Sequence, residues 1–522
     1  MGIYLNPSND LFARVINSEI YVDKSRVIEL TNRVLNTTRE FICVSRPRRF
    51  GKSVTASMLS AYYSRGCNSE SLFDNLAVSA CESYAKYLNS YNVVVLNMQQ
   101  MLSRATNPND MISCIQTTVL AELRQEFDLP DNIERLIDGF EYIYNHHKNG
   151  FVFIIDEWDC LFREYPSEQN AQRNYLDFLR DLLKDRSYVH LAYMTGILPI
   201  KKYGTHSALN MFTEYSMMDP GPFADYTGFT EDEVRSLCNK YNMDYNVVSN
   251  WYDGYSFENG KHIYSPKSVA DAMFEQKCKS YWTKTETYDA LKKYINMNFD
   301  GLKAAVTEML GGNKLKIEPR SFQNDMTSFG SKDDVLTLLV HLGYLAYDQH
   351  KQSVYIPNLE VSEEFVLAIT NSEEWGRVAE DIENSDKLLQ ATFNGKADIV
   401  AQYIDRIHRN YTDPLHYNDE NALRYVVKWA YQSARAYYKI IDEMPAGTGY
   451  ADLVFLPIVA DKPAMVIELK YDKSVDVAVE QVKSRHYYEA LNGYSGQVLI
   501  VGINYDRATK EHKCVIECLN DI

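Results

Sequence analysis

The run Arg46-Pro47-Arg48-Arg49-Phe50-Gly51-Lys52-Ser53 has the residue types and spacing to hold a polyphosphate. An apolar strand ends at Ser45, a tight loop follows, and Gly-Lys-Ser opens a helix. This is the phosphate-loop pattern G-x-x-x-x-G-K-[ST], with Arg46 where the first glycine is usual. Gly51 lets the backbone approach a phosphate without a Cβ, and amides at the helix start point at the anion, helped by the helix dipole. Lys52 brings a positive charge to the β- and γ-phosphates, and the Ser53 hydroxyl is suited to Mg²⁺. The binding segment therefore comprises Pro47, Arg48, Arg49, Phe50, Gly51, Lys52, Ser53 and Val54. Arg46, Arg48 and Arg49 either neutralise phosphate charge, meet a partner, or form a solvated basic loop. A plain strand–turn–helix with a basic tip is the bland alternative.

About a hundred residues on, Phe151-Val152-Phe153-Ile154-Ile155 leads into Asp156-Glu157. Placed beside the first strand, this is a Walker B segment. Asp156 would hold Mg²⁺ through water, and Glu157 would orient and polarise the attacking water. A third apolar strand ends in Thr195-Gly196, so Thr195 is either a sensor near the γ-phosphate or part of a simple turn. ATP and Mg²⁺ are the cofactors this set implies.

A second constellation lies near the other end. Asp452 enters a strand after Gly447-Thr448-Gly449, and fifteen residues separate it from Glu468 in Met465-Val466-Ile467-Glu468-Leu469-Lys470. Glu468 and Lys470, two apart on a strand, share a face. If the strands pair, Asp452 joins them. Asp452 and Glu468 then offer hard oxygen ligands for Mg²⁺, and Lys470 positions the acidified water or stabilises the transition state. Gln481, on a following helix that also carries Lys483, Arg485 and Tyr487, could extend toward the site, the basic residues Lys483 and Arg485 could touch a phosphodiester backbone, and Glu420 is a further candidate carboxylate. Across 466–485 the acids Glu468, Asp472, Asp476 and Glu480 balance Lys470, Lys473, Lys483 and Arg485, so no electrostatic funnel for nucleic acid is evident. A structural ion pair is the alternative, although leaving an inward-facing Glu and Lys uncompensated would cost several kcal/mol.

These residues need a scaffold. Strands are expected at 40–45, 92–98, 151–155 and 191–195, with helices at 53–63, 110–127 and 171–185. Apolar strands alternating with helices predict a parallel sheet covered on both faces. From about 216 to 385 the pattern turns mostly helical. There a helix at 333–341 and short strands at 344–347 and 353–356 would suit a winged-helix-like module. Beyond 386, helices are expected at 397–409, 421–438 and 475–491. Strands are expected at 451–457, 464–470 and 497–503, with an edge strand at 513–518.

With 522 residues, the chain is too long for one core. Hydrophobic residues make up 45% and charged residues 24%, a globular profile. The net charge of −17 disfavours non-specific adhesion to nucleic acid or anionic membrane, without excluding a local basic groove. Nine widely spaced cysteines with no C-x-x-C favour a reducing compartment over disulfides or a zinc site. The opening MGIYLNPSNDLF lacks signal-peptide character, and no apolar run reaches the roughly 20 residues of a spanning helix, so a cytoplasmic protein is expected.

Taken in order, the segments resemble a prokaryotic family that joins an AAA-ATPase-like domain to a nuclease of the PD-(D/E)XK superfamily. The resemblance rests on Tyr21-Val22-Asp23-Lys24-Ser25, on Arg46 to Ser53 with its arginine in place of glycine, on Ile155-Asp156-Glu157-Trp158-Asp159 and on Met194-Thr195-Gly196-Ile197. It continues through Gly228-Phe229-Thr230, Trp251-Tyr252-Asp253-Gly254-Tyr255, Ile356-Pro357-Asn358, Gly449-Tyr450-Ala451-Asp452 and Glu468-Leu469-Lys470, with Gln481 downstream. Ser207-Ala208-Leu209-Asn210 departs from that family's S-G-L-N-N.

The resemblance implies an α/β chain in three parts. Residues 1–215 would be the P-loop ATPase domain, 216–385 a helical, winged-helix-like region, and 386–522 a restriction-endonuclease-like domain. It implies nucleotide at Lys52 and Ser53, metal at Asp156, hydrolysis assisted by Glu157, and a nuclease-type site at Asp452, Glu468 and Lys470. The resulting expectation is an ATP-hydrolysing protein coupled to Mg²⁺-dependent cleavage of DNA or RNA, without a membrane and compatible with a homo-oligomer. The alternative is a nucleotide-switched protein whose nuclease-like domain binds a partner without cutting.

Overall fold

The computed structural model describes residues 2–519 except 149, 201–208, 258–259, 283–287, 324–325, 412–419, 447–448, 460–461, 485–490, 492–493 and 495. Ser207, Ala208, Gly447, Thr448, Arg485 and Tyr487 thus lie outside the described residues. The chain divides into two compact units, each discontinuous in sequence. One holds the residues up to Met243 with Asp253–Lys277 and Lys316–Val354, and the other holds Asp244–Tyr252, Cys278–Leu315 and the residues from Tyr355 onward. The contiguous three-part division at about 215 and 385 is a separate proposal about function.

The first unit is built on strands β1 (Phe41–Ser45), β2 (Asn92–Asn97), β3 (Phe151–Asp156), β4 (Val189–Gly196) and β5 (Thr213–Tyr215), in the order β2–β3–β4–β1–β5. Every pairing is parallel. The apolar runs form central strands because both faces are covered, and all six residues of β3 are buried. Helices α1 (Lys52–Tyr63), α2 (Met111–Phe127), α3 (Cys160–Glu164) and α4 (Gln169–Leu183) follow the strands. Ile42, Val44, Met58, Leu59, Val152 and Tyr193 share one core between α1 and the sheet.

The expectation that the Walker B strand lies beside the first strand is corrected: β4 stands between β1 and β3. The short strand β5, which carries little apolar signal in Thr-Glu-Tyr, closes the edge beyond β1.

The same unit contains β6 (Phe229–Thr230), α5 (Glu231–Tyr241), β7 (Tyr255–Phe257), β8 (Lys261–Tyr264), α6 (Pro266–Glu275) and α7 (Lys332–Leu342). Strands β6, β8 and β7 form a small sheet in that order. Helix α7 starts in a Ser331/Asp334 capping box and stops at Gly343, and two short strands, β9 (Ala346–Asp348) and β10 (Ser353–Tyr355), follow it.

The second unit carries helices α8 (Ala397–Tyr411) and α9 (Glu420–Ala430) and a five-stranded mixed sheet. Its strands are β11 (Tyr438–Ala446), β12 (Gly449–Pro457), β13 (Ala464–Tyr471), β14 (Val498–Asp506) and β15 (Glu511–Leu519), in sequence order. Only the β13–β14 pair is parallel, and α10 (Val475–Ser484) makes that crossover. Val454, Val466, Val479, Val482 and Ile500 form the core between α10 and the sheet. The helix expected over 421–438 ends instead at Ala430, and the chain turns through a 3₁₀ segment into β11, where pairing with β12 overrides the helical pattern. Of the helix expected over 475–491, the described part ends at Ser484.

Candidate nucleotide pocket and carboxylate–lysine site

The parallel sheet brings the C-terminal ends of β1, β2, β3 and β4 to one edge, where ligands of open α/β sheets bind. Gly51 caps α1 with a left-handed φ of 85°, a conformation costly for a side chain and free for glycine. Lys52 is 4% exposed, and its Nζ donates to the Pro47 carbonyl at 2.9 Å. Burial pulls its pKa down, against the supporting charges of Glu157, Asp159 and Asp156. Ser53 is exposed, and its hydroxyl lies near enough to Asp156 to favour that residue's carboxylate. Arg48 and Val54 are exposed and Arg49 is half-buried.

The loop's other side chains point inward. Phe50 is fully buried and meets the Tyr255 ring edge-on at 5.3 Å. Arg46 is also fully buried. Its Nε donates to Thr227 Oγ1 at 2.8 Å, and one terminal nitrogen donates to the carbonyls of Ser45 and Tyr215 at 2.9 and 3.0 Å. Burial lowers the Arg46 pKa to about 10, which leaves it a cation at neutral pH. Of the readings open for Arg46, the solvated loop is therefore corrected: the guanidinium tethers the loop to distant backbone.

Asp156 ends β3 nearly buried, and desolvation raises its pKa while Ser53 and Lys52 oppose that shift. Its Oδ2 accepts from Asn97 Nδ2 at 3.5 Å, across the β2–β3 rung that pairs Asn97 with Asp156. Glu157 leaves the strand at a φ of 55°, a left-handed conformation rare for a glutamate. Its carboxylate pairs with Arg163 on α3. Arg163 Nε also lies 3.0 Å from Asp159 Oδ2. Burial opposes the Arg163 charge, yet Asp159 and Glu157 outweigh it and hold the guanidinium above its ordinary value. Thr195 is buried, and its hydroxyl donates to the Val44 carbonyl at 3.0 Å, within the β1–β4 seam.

A cavity of about 450 Å³, within the usual size of a ligand pocket, opens beside the loop. Gly51, Lys52, Ser53 and Glu157 line its polar end, and Tyr21, Phe229 and Pro266 contribute apolar walls. Around it, Asp23 accepts from the Ala77 amide at 2.7 Å, and Lys24 pairs with Glu233 at 2.6 Å.

In the second unit, the β12–β13 pairing ends with Leu453 and Ile467, and Asp452 and Glu468 are the next residues on their strands. Glu468 is 1% exposed. Its Oε1 accepts from Lys470 Nζ at 2.7 Å and from Gln481 on α10. Its Oε2 is buried with no partner among the described residues. Burial, reinforced by Asp452, raises the Glu468 pKa to about 7, with Lys470 opposing. Asp452 Oδ2 accepts from the Leu469 amide at 2.8 Å, and Oδ1 lies 3.2 Å from an Arg424 nitrogen. Gly502 stands opposite Glu468 on β14. A Cβ there would sit 3.1 Å from the Val475 carbonyl and 3.1 Å from Val479, so the glycine allows α10 to come close.

Two comparisons bear directly on these units. Residues 10–205 match the family model described as a predicted AAA-ATPase. Residues 418–514 match that of the PD-(D/E)XK nuclease superfamily. The chain joins an AAA-ATPase-like domain to a PD-(D/E)XK superfamily domain. No significant match occurs among curated proteins. Among solved structures, the Aeropyrum pernix ORC2 protein in its ADPNP–ADP complexes is similar over 68% of this chain and 96% of that one, at 9% identity and a TM-score of 0.31. At that score the likeness carries no weight for activity or partner.

In the AAA-ATPase-like domain, Lys52, Ser53, Asp156 and Glu157 converge at one sheet edge, whereas Phe50 and Thr195 turn into the core. Sequence reasoning missed Asn97 and Arg163, and it gave Tyr21 and Asp159 a place in the resemblance but no role. A polar residue closing the apolar strand before the Walker B strand, and an arginine one turn beyond Asp159, were the available signals. In the PD-(D/E)XK domain, Asp452, Glu468, Lys470 and Gln481 come together. Arg424 was missed, and nothing in its local pattern marks it. No cluster of three or more acidic, histidine or cysteine side chains suited to a metal occurs among the described residues. Two carboxylates nonetheless suit Mg²⁺, which keeps several waters, and the partnerless Glu468 oxygen is the atom such an ion would satisfy.

Proposed function

We propose that the AAA-ATPase-like domain binds and hydrolyses ATP with Mg²⁺, and that the PD-(D/E)XK domain carries out Mg²⁺-dependent phosphodiester hydrolysis on DNA or RNA. Working boundaries are 1–215 for the ATPase, 216–385 for the helical region and 386–522 for the nuclease-like domain. The observation that carries the reading is the convergence of Lys52, Ser53 and Glu157 on the cavity at the sheet edge, with Asp156 next to them.

The segment from Pro47 to Val54, with its amides and Lys52, grips the phosphates, and Ser53 and Asp156 hold the cation. Glu157 orients the attacking water and takes its proton once its carboxylate is released from Arg163. In the second domain Asp452 and Glu468 hold Mg²⁺, Lys470 steadies the nucleophile or the developing charge, and Gln481 fixes Glu468. Bound there, the ion would supply an acidified water and charge neutralisation. Among the described residues no helix is long and apolar enough to cross a membrane. A cytoplasmic location and compatibility with a homo-oligomer belong to the same proposal.

A second reading keeps ATP binding but makes the PD-(D/E)XK domain a grip without cleavage. Its support is that Asp452 and Glu468 already face cations in Arg424 and Lys470. One assay separates the two readings. Single- and double-stranded DNA and RNA are incubated with the full chain, Mg²⁺ or Mn²⁺, and with or without ATP. Cleavage lost in Asp452→Ala supports the nuclease. Wild type and variant behaving alike ends that reading and favours the grip.

A further inference from the structure

Arg424 stands on α9 between two carboxylates. One terminal nitrogen lies 2.9 Å from Glu443 Oε1, and the other lies 3.2 Å from Asp452 Oδ1. The strand register brings them near: β11 and β12 pair Asp442 with Leu453 and Met444 with Ala451, and between those pairs lie Asp452 and Glu443, the latter at a left-handed φ of 49°. Asp452 and Glu468 are the residues next beyond the last β12–β13 pair, Leu453 with Ile467, so the three acids gather at that end of the sheet. Like charges held close together repel, and a cation between them is the simplest remedy. Arg424 is that cation for the outer pair, and Lys470 faces the inner acid.

The two partners of Arg424 differ. The Asp452 side chain is 16% exposed, whereas that of Glu443 is 64% exposed. Arg424 Nε is buried without a partner among the described residues, so the guanidinium is not locked by a full set of bonds. Asp452 Oδ2 is occupied by the Leu469 amide, which leaves Oδ1, the oxygen facing Arg424, as the one turned to a charge. A guanidinium stays charged at any ordinary pH, and it repels a divalent ion only a few ångströms away.

Resting on the metal-site reading above, we infer that Arg424 is an internal competitor for that site. It neutralises Asp452, and a divalent cation binds only as Arg424 withdraws to Glu443. Arg424 thereby sets the metal affinity of the PD-(D/E)XK domain, and Glu443 acts as its parking carboxylate. It is a positioning residue, and the freed guanidinium remains beside the site where a phosphodiester anion would lie.

The test measures Mn²⁺ binding to the full chain by calorimetry, without nucleotide, in an Asp156→Asn background so that the ATPase site does not report. Arg424→Gln should bind Mn²⁺ about tenfold more tightly than the parent. Glu443→Gln should bind it several-fold more weakly, because Arg424 then has only Asp452. Equal or weaker binding in Arg424→Gln overturns the inference while leaving the metal site standing. Binding that is absent, or unchanged by Asp452→Asn, removes the metal site and the inference together. If Arg424→Gln fails to fold by circular dichroism, Glu443→Gln, altered at an exposed side chain, decides by the sign of its effect: unchanged or tighter binding rejects the competitor role.

Discussion

Arg163 pairs with Glu157 through a terminal nitrogen while its Nε lies 3.0 Å from the fully buried carboxylate of Asp159. The same Asp159 oxygen accepts from the amides of Ile197 and Leu198 at 3.1 and 2.8 Å, just beyond β4. Removing Arg163 would leave a buried anion uncompensated. Arg163→Ala should therefore cost about 3–5 kcal/mol, read from the urea midpoint of the first unit's transition. Asp159→Asn keeps an oxygen for the two amides, so the double variant should be more stable than the sum of the singles predicts. Strict additivity would mean the pair is not coupled.

Lys52 and Glu157 divide binding from turnover. Losing the charge-assisted contacts of Lys52 should weaken nucleotide affinity about 10- to 100-fold in Lys52→Ala, as measured with a fluorescent ATP analogue. Glu157→Gln keeps the pocket's shape and should bind ATP like wild type while releasing no phosphate. Equal ATP affinity in wild type and Lys52→Ala would contradict the phosphate site.

The close approach of α10 to β14 gives a third expectation. Gly502→Val puts atoms against the Val475 carbonyl and Val479, both 3.1 Å from the position of a Cβ. Overpacking of this kind costs about 1–3 kcal/mol. It should also loosen the contact from Gln481 to Glu468, so Mn²⁺ affinity should fall with stability. A variant as stable as wild type would show that the helix has room to shift.

His341 provides a pH signature. It is buried in α7, its Nδ1 has no partner among the described residues, and its ring stacks on Phe322 at 5.8 Å. Burial first, and then the nearby Arg46 charge, lowers its pKa to about 3. The folded chain thus keeps the ring neutral, while the unfolded chain takes up a proton below about pH 6.5. Between those limits the unfolded state binds more protons, so stability falls on acidification by about 1.4 kcal/mol per pH unit from this group. In His341→Gln the loss between about pH 6.5 and about pH 4.5 should be shallower. An unchanged slope would exclude His341 as its source.

The long apolar strands of the first sheet were legible because a strand covered on both faces reads as an unbroken hydrophobic run, as in Phe151 to Ile155. Their lateral order was not, since pairing between β1 and β4 joins residues about 150 apart and leaves no local trace. Strand β11 escaped notice for a related reason: Ile440 and Ile441 are both half-buried on an edge strand paired on one side only. At the sites, spacing along β13 foretold that Glu468 and Lys470 share a face. Arg46 and Arg424 were illegible in their roles, because what surrounds an arginine is decided by carbonyls and carboxylates far along the chain, such as Tyr215 for the one and Glu443 for the other.

The insertion of β4 between β1 and β3 has a mechanical corollary. Neighbouring strands keep a spacing of about 4.8 Å, so β1 and β3 themselves run one strand apart, roughly 10 Å from backbone to backbone. Main-chain hydrogen bonds set that width, whatever side chains occupy it. Both banks of the crevice are therefore riveted to a single shared beam, and any pull on the chain beyond Gly196 loads the lysine bank and the carboxylate bank at once.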